Sequence, residues 1–319
     1  MVIYIILSLL ITYIIIQIFI NEKEPTFILT KNNKLMNYNI NKNGFNNVEH
    51  FYILNLKKNN FRRKKIIDIF NKINIRILVD NIFYACDGKN IMNSKKDLID
   101  KNIIDKDFNY YFPIKPIYFN IWRSPGCLGH YISFYQIFQN AIFNNLEYFM
   151  IVEDDAIFND NIKLFDYVDI MKKNSCDFLS LGQSYNFYKC NNQLLSSNKF
   201  VFNNDGYKFF KISDSNGLFQ QTHTVIFRTE GIKKIIDDYF PMKCPTDVML
   251  GNLCRDYETT IRNNILFQTS NCNQKLNGLF VYPPLSEQNN EYNSDISKPN
   301  YLIFFIISLI ILLFLLYTF

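Results

Sequence analysis

The chain lacks both glycine signatures that mark nucleotide phosphate sites. It has no Gly-x-Gly-x-x-Gly and no Gly-x-x-x-x-Gly-Lys-Ser/Thr, which leaves a nicotinamide cofactor and a P-loop unsupported. Its cysteines number seven, an odd count, and no Cys-x-x-Cys pair occurs. Neither a disulfide framework nor a zinc site is indicated. The three histidines, His50, His130 and His223, are far apart in sequence, which argues against a His-rich metal site. The net charge is only +5, so a dedicated nucleic-acid binder is not expected. No internal repeat is evident, and no Asn-x-Ser/Thr acceptor occurs in a chain rich in Asn.

What is abundant is apolar sequence, 48% of 319 residues. Residues 2–20 and 301–319 carry no charged side chain, and each is about the 20 residues a bilayer core requires. Two membrane-spanning helices are therefore expected, the first an uncleaved anchor because it has no basic n-region or small-residue cleavage site. Residues 21–47 read as a polar linker and 48–290 as one folded domain. Lys23, Lys31 and Lys34 follow the first apolar stretch and Lys298 precedes the second. By the positive-inside rule this favours a membrane protein whose central domain is cytosolic.

Within the domain, apolar runs alternate with amphipathic patterns. Phe51-Tyr52-Ile53-Leu54-Asn55-Leu56 reads as a buried first strand, and Ile66, Phe70 and Ile73 mark the helix after it. Arg62, Arg63, Lys64 and Lys65 crowd the start of that helix. Cations are disfavoured there by the helix dipole, and a bound anion would reverse the penalty. Residues 75–79 and 82–86 are candidate strands, closed by the turn pair Asp87-Gly88. Residues 89–116 are polar and aperiodic, and read as an insertion over a site. Leu128, Tyr131, Ile132, Tyr135, Phe138 and Ile142 form one stripe of a long helix, with His130 beside it; a lone histidine there reads as structural before it reads as catalytic. Ile162, Phe165, Val168 and Met171 mark a further helix. Residues 176–181 and 222–227 read as strands, 183–217 as loop, and Ile232, Ile235, Ile236 and Tyr239 as another helix. Such alternation predicts an α/β fold with a largely parallel sheet.

The central stretch is Tyr148-Phe149-Met150-Ile151-Val152-Glu153-Asp154-Asp155-Ala156. An unbroken apolar run is the mark of a strand buried on both faces. Three acids at its end repel one another, and open α/β sheets keep their ligands at that edge. A divalent cation, Mn²⁺ or Mg²⁺, held by Glu153, Asp154 and Asp155 would relieve the repulsion.

These pieces, in order, resemble glycosyltransferase family 25, which contains bacterial lipooligosaccharide galactosyltransferases and collagen hydroxylysine galactosyltransferases. The resemblance rests on Ile53-Leu54-Asn55-Leu56-Lys57-Lys58 with Arg62-Arg63, on Asp87-Gly88, on Gly126-Cys127-Leu128-Gly129-His130 and on Val152-Glu153-Asp154-Asp155-Ala156. It continues through residues 222–231, Pro245-Thr246-Asp247, and Tyr282-Pro283-Pro284 with Gln288. One departure is Gly129, where the family pattern has Ser. The resemblance implies a GT-A-like, Rossmann-like nucleotide-sugar domain. It further implies inverting, metal-assisted transfer of galactose or glucose from a UDP-sugar to the hydroxyl of a glycan, glycolipid or hydroxylysine-type protein acceptor. It places Asn55, Arg62, Arg63, Asp87, Gly88 and His130 around the nucleotide. Asp247 becomes the general base or a further metal ligand. The alternatives are a scaffold of the same fold that has lost catalysis and serves adhesion or assembly, and a metal-dependent phosphoesterase. The intact acids speak against the scaffold. The absence of clustered His and Asp ligand spacings speaks against the phosphoesterase.

Overall fold

In a β-strand successive side chains point to opposite faces, so a strand that is apolar throughout needs a core on each side. The strand carrying the acids meets that demand. Phe149 and Ile151 enter one core cluster, and Tyr148, Met150 and Val152 enter a second. The computed structural model describes residues 45–289, apart from 89–90, 92–94, 107–124, 217, 220, 263–264 and 271–273. Both expected membrane helices, nearly all of the linker and part of the 89–116 insertion lie outside the described residues. No helix among those described is long and apolar enough to cross a membrane.

The elements run β1 (His50–Asn55), α1 (Asn60–Lys72), β2 (Ile82–Tyr84), α2 (Lys95–Asp100), α3 (Pro125–Phe143), β3 (Tyr148–Glu153), β4 (Ala156–Phe158), α4 (Tyr167–Lys173) and β5 (Phe178–Ser180). They continue with α5 (Tyr185–Cys190), α6 (Asn192–Ser196), β6 (Phe202–Asn204), β7 (Tyr207–Lys211), β8 (Thr224–Arg228) and α7 (Thr229–Lys233). The last are α8 (Thr246–Leu253), β9 (Tyr257–Arg262), β10 (Ile265–Ser270), β11 (Gly278–Tyr282) and β12 (Ser286–Gln288). Eight strands form one sheet in the order β2-β1-β3-β8-β5-β11-β7-β6. The stripe of α3 packs on one face with Phe149 and Ile151. Ile66 and Phe70 of α1, with Tyr167, Val168, Ile170 and Met171 of α4, pack on the other.

The expected α/β class holds, but the sheet is mixed rather than largely parallel. Strands β1–β2, β1–β3 and β5–β11 pair parallel. Strand β8 runs antiparallel between β3 and β5, and β7 pairs antiparallel with β11 and β6. Apolar runs report burial and not direction, so β8 looks like its neighbours in sequence. Residues 183–217 are not a plain loop: they hold α5, α6 and the β6–β7 pair. Residues 75–79 form no strand, and Val79 is exposed. The helix after β8 stops at Lys233, with Ile235 and Tyr239 buried in the turns beyond it.

Two features of this frame aim the site. Strands β1 and β3 are parallel neighbours, with Leu54 opposite Glu153, so Asn55 and the acids leave the sheet at the same edge. The small β4–β12 pair sets Gln288 opposite Ala156, and the Asn289 N–H donates to the Asp155 carbonyl at 2.8 Å.

Candidate functional site

The three acids at the end of β3 do not share one environment. Asp154 turns toward β1 and α1. Its Oδ2 accepts from Asn55 Nδ2 at 2.6 Å and its Oδ1 from Arg62 at 3.3 Å. Burial pushes its pKa up to about 6, and Asn55 and Arg62 only partly oppose that. Arg62 also lies 3.9 Å from Asp155.

Glu153 and Asp155 face the opposite way, toward the chain entering β8. The Glu153 N–H donates to the His223 carbonyl at 2.8 Å, which sets residues 222 and 223 against the acids. The Thr222 hydroxyl donates to Glu153 Oε1 at 2.7 Å, and His130 Nε2 lies 3.2 Å from the same oxygen. The other His130 nitrogen lies 3.3 Å from Thr246 Oγ1. Burial alone would push Glu153 up. His130, His223 and Thr222 together outweigh it, and the carboxyl is held at about 2. Burial pulls His130 down, and the Glu153 carboxylate with Asp247 more than reverses it. For His223 too, burial pulls down, and Asp155 and then Glu153 raise the ring above the ordinary range.

His223 Nδ1 is 3.7 Å from Asp155 Oδ1 and 3.9 Å from Glu153 Oε2. Both distances are too long for a hydrogen bond. Asp155 Oδ1 and both His223 ring nitrogens are buried with no hydrogen-bond partner. Buried polar atoms left unsatisfied are costly and call for an explanation. Glu153, Asp155 and His223 each offer one atom, and these lie within 4.8 Å of one another. Two carboxylates and an imidazole converging with unfilled valences fit a divalent cation.

Glu153 and Asp155 line a cleft with Asp154, Lys58, Asn59, Arg62, Cys86, Asp87, Gly88, His130 and Gln288, and His223 lies behind them, outside the lining. Lys58 pairs with Asp87 at the rim. The start of α1 thus meets the cleft at Arg62, where a helix N-terminus and a guanidinium favour an anion. Arg63 is placed elsewhere: its guanidinium lies 5.7 Å above the Tyr84 ring and bonds Asn60. Gly129 packs against the turn at 86–88. A Cβ there would lie 2.4 Å from the Cys86 carbonyl oxygen and 2.6 Å from the Gly88 nitrogen. This chain has no room for a serine at that position.

Asp247 lies at the start of α8, next to Thr246. Its Oδ1 accepts from the Val248 N–H at 2.8 Å and its Oδ2 from the Gln221 N–H at 3.0 Å. Burial pushes its pKa up against those two donors. It reaches the acids through Thr246 and His130 and does not line the cleft.

A family model described as glycosyltransferase family 25 (LPS biosynthesis protein) matches residues 48–240. The chain belongs to glycosyltransferase family 25. The match spans β1 through α7, and so includes the acids, Arg62, His130, Thr222 and His223. Asp247 and Gln288 lie beyond it. Among curated proteins, none matches the chain.

As a family 25 glycosyltransferase, the chain is an enzyme of glycosyl transfer. The structure gathers Arg62, Asp87, Gly88, His130 and the acids at one cleft, sets Asn55 behind it on Asp154, and leaves Arg63 outside. Of the three acids, Asp154 stands apart from the cluster that fits a cation. Sequence reasoning missed His223, Thr222 and Gln221. Histidines 93 positions apart give no spacing signal (His130 to His223). The usable signal was the polar run Gln221-Thr222-His223 opening an apolar strand, the mirror image of the acids that close β3.

Proposed function

We propose that this family 25 enzyme moves a hexose, galactose or glucose, from a UDP-sugar to an acceptor hydroxyl, with a divalent cation held by Glu153, Asp155 and His223. The observation that carries this reading is the set of buried, unpartnered atoms on Asp155 and His223 beside the Glu153 carboxylate. The imidazole makes Mn²⁺ a better fit than Mg²⁺, which prefers oxygen ligands alone. When bound, the cation supplies Lewis-acid charge neutralisation for the diphosphate leaving group.

The remaining work belongs to the chain. Arg62 and the N-terminus of α1 bind the diphosphate beside the acids. His130 and Thr222 fix Glu153 Oε1, so that Oε2 is the oxygen turned toward His223. The acceptor hydroxyl loses its proton as it attacks the anomeric carbon, and Asp247, its affinity for protons raised by burial, takes that proton from the side of Thr246 and His130 rather than from within the cleft. Direct attack of that kind inverts the configuration. Glycans, glycolipids and hydroxylysine-bearing proteins are the acceptor classes to test. Residues 2–20 and 301–319 serve as membrane anchors in this reading, and the lysines flanking them favour a cytosolic catalytic domain.

The test is a donor screen on the purified chain, following UDP release from several UDP-sugars with and without Mn²⁺. Mn²⁺-dependent release from UDP-galactose or UDP-glucose, lost in D155N, is the expected result. Full turnover in chelator, or release in D155N equal to wild type, would sink the reading.

A further inference from the structure

Gln221 is held at φ +75°, in the left-handed region that L side chains rarely adopt. The other non-glycine residues held there, among those described, are Asn, Asp205 and Ser175. Asn and Asp tolerate this region because their short side chains bond locally. A glutamine has no such local reason, so its neighbours must impose the conformation.

Three anchors do so. The Gln221 N–H donates to Asp247 Oδ2 at 3.0 Å. Its carbonyl accepts from Gln183 Nε2 at 3.0 Å, and that buried amide also donates to Ser180 Oγ at 2.8 Å. Its side-chain Nε2 donates to Gln288 Oε1 at 3.2 Å, and Gln288 Nε2 donates to Asp155 Oδ2 at 3.1 Å. Asp247 and Asp155 are thus tied through two glutamines. Gln288 holds Asp155 by Oδ2, which leaves the unpartnered Oδ1 turned toward His223. The two residues after Gln221 are Thr222 and His223, and both approach Glu153.

We propose that Gln221 is a positioning residue that couples the proton acceptor to the cation site: its strained backbone aims an N–H at Asp247, while its side chain, through Gln288, orients Asp155. This rests on the reading that Asp155 holds a cation and Asp247 takes the proton.

The test compares wild type, Q221A, Q221G, Q288A and the Q221A/Q288A double variant by Mn²⁺ titration with electron paramagnetic resonance. The same proteins are unfolded in chelator. Q221A and Q288A each weaken Mn²⁺ binding about tenfold, the lower end for residues that orient metal ligands. The double variant binds no more weakly than either single, because both break one tie. Q221G also loses the tie, but unfolds at a higher midpoint than Q221A because glycine adopts this φ freely. Wild-type Mn²⁺ affinity in Q221A, or additive losses in the double variant, would overturn the proposal. If wild type itself binds no Mn²⁺, the metal reading fails instead, and the unfolding data decide on Gln221. Coupling between Q221A and Q288A in chelator supports the tie, and independent effects refute it.

Discussion

Two buried carboxylate sites lie at opposite edges of the same sheet. Asp177 precedes β5, at the edge where strands β3 and β5 begin. Lys234 donates to both of its oxygens at 2.7 Å, and the Asn277 N–H adds a bond of 2.8 Å. Glu153 ends β3 and Asp155 follows it, at the opposite edge. Arg62 stays 3.9 Å from Asp155, and His223 approaches without bonding. Both sites bury negative charge, but only one is satisfied by the chain. A buried acid with every oxygen answered is part of the scaffold. One whose oxygen is left over, facing an unpartnered imidazole, is built for something the chain does not supply. The location agrees, since open α/β sheets bind ligands at the carboxyl ends of their strands.

That contrast can be broken by substitution at either edge. The largest effect is expected for D155N. Removing one carboxylate charge from the cluster should lower kcat by at least about 100-fold, the scale of losing a main electrostatic stabiliser. The unfolding midpoint in chelator should stay level or rise, because an incompletely paired buried charge is gone. A large loss of stability would class Asp155 with Asp177. D177A should behave in the opposite way. It strips Lys234 and the Asn277 N–H of their acceptor, and should cost about 2–3 kcal/mol in urea unfolding, as for bonds to a charged group. Mn²⁺ affinity should not move.

A smaller effect is expected where the cleft wall meets α3. In G129S the new side chain meets backbone on both sides, at Cys86 and Gly88. Overpacking of this kind costs roughly 1–3 kcal/mol. It should also raise KM for the UDP-sugar, because the turn at 86–88 lines the cleft. An unchanged KM would show that this turn does not touch the donor. The smallest effect serves as a control. Lys173 and Asp169 form an exposed i,i+4 pair on α4, and K173A should shift stability by less than about 0.5 kcal/mol.

The scaffold edge and the reactive edge were not equally legible in the sequence. β1, α1, α3 and β3 were readable because each carries an unbroken apolar run or a helical stripe, and burial on both sheet faces demands one. The acids of β3, their partner Asn55 and the cleft residues Arg62 and Asp87 were readable as polar residues next to those same elements. The direction of β8 was not, because burial patterns carry no polarity. His223 was hidden for the same reason: only the antiparallel placement of β8 brings it back to Glu153. Asp154 was indistinguishable from its neighbours in sequence. Its separate role follows from side-chain direction, which sends it to Asn55 and Arg62.

A cation site at Glu153, Asp155 and His223, with Asp177 structural, can be checked by Mn²⁺ titration of the purified chain, read by electron paramagnetic resonance in wild type, H223A and D177N. Wild type should bind saturably, H223A should lose at least about tenfold in affinity, and D177N should keep wild-type affinity. Binding in H223A as tight as in wild type, or no saturable binding in any of the three, would contradict that assignment.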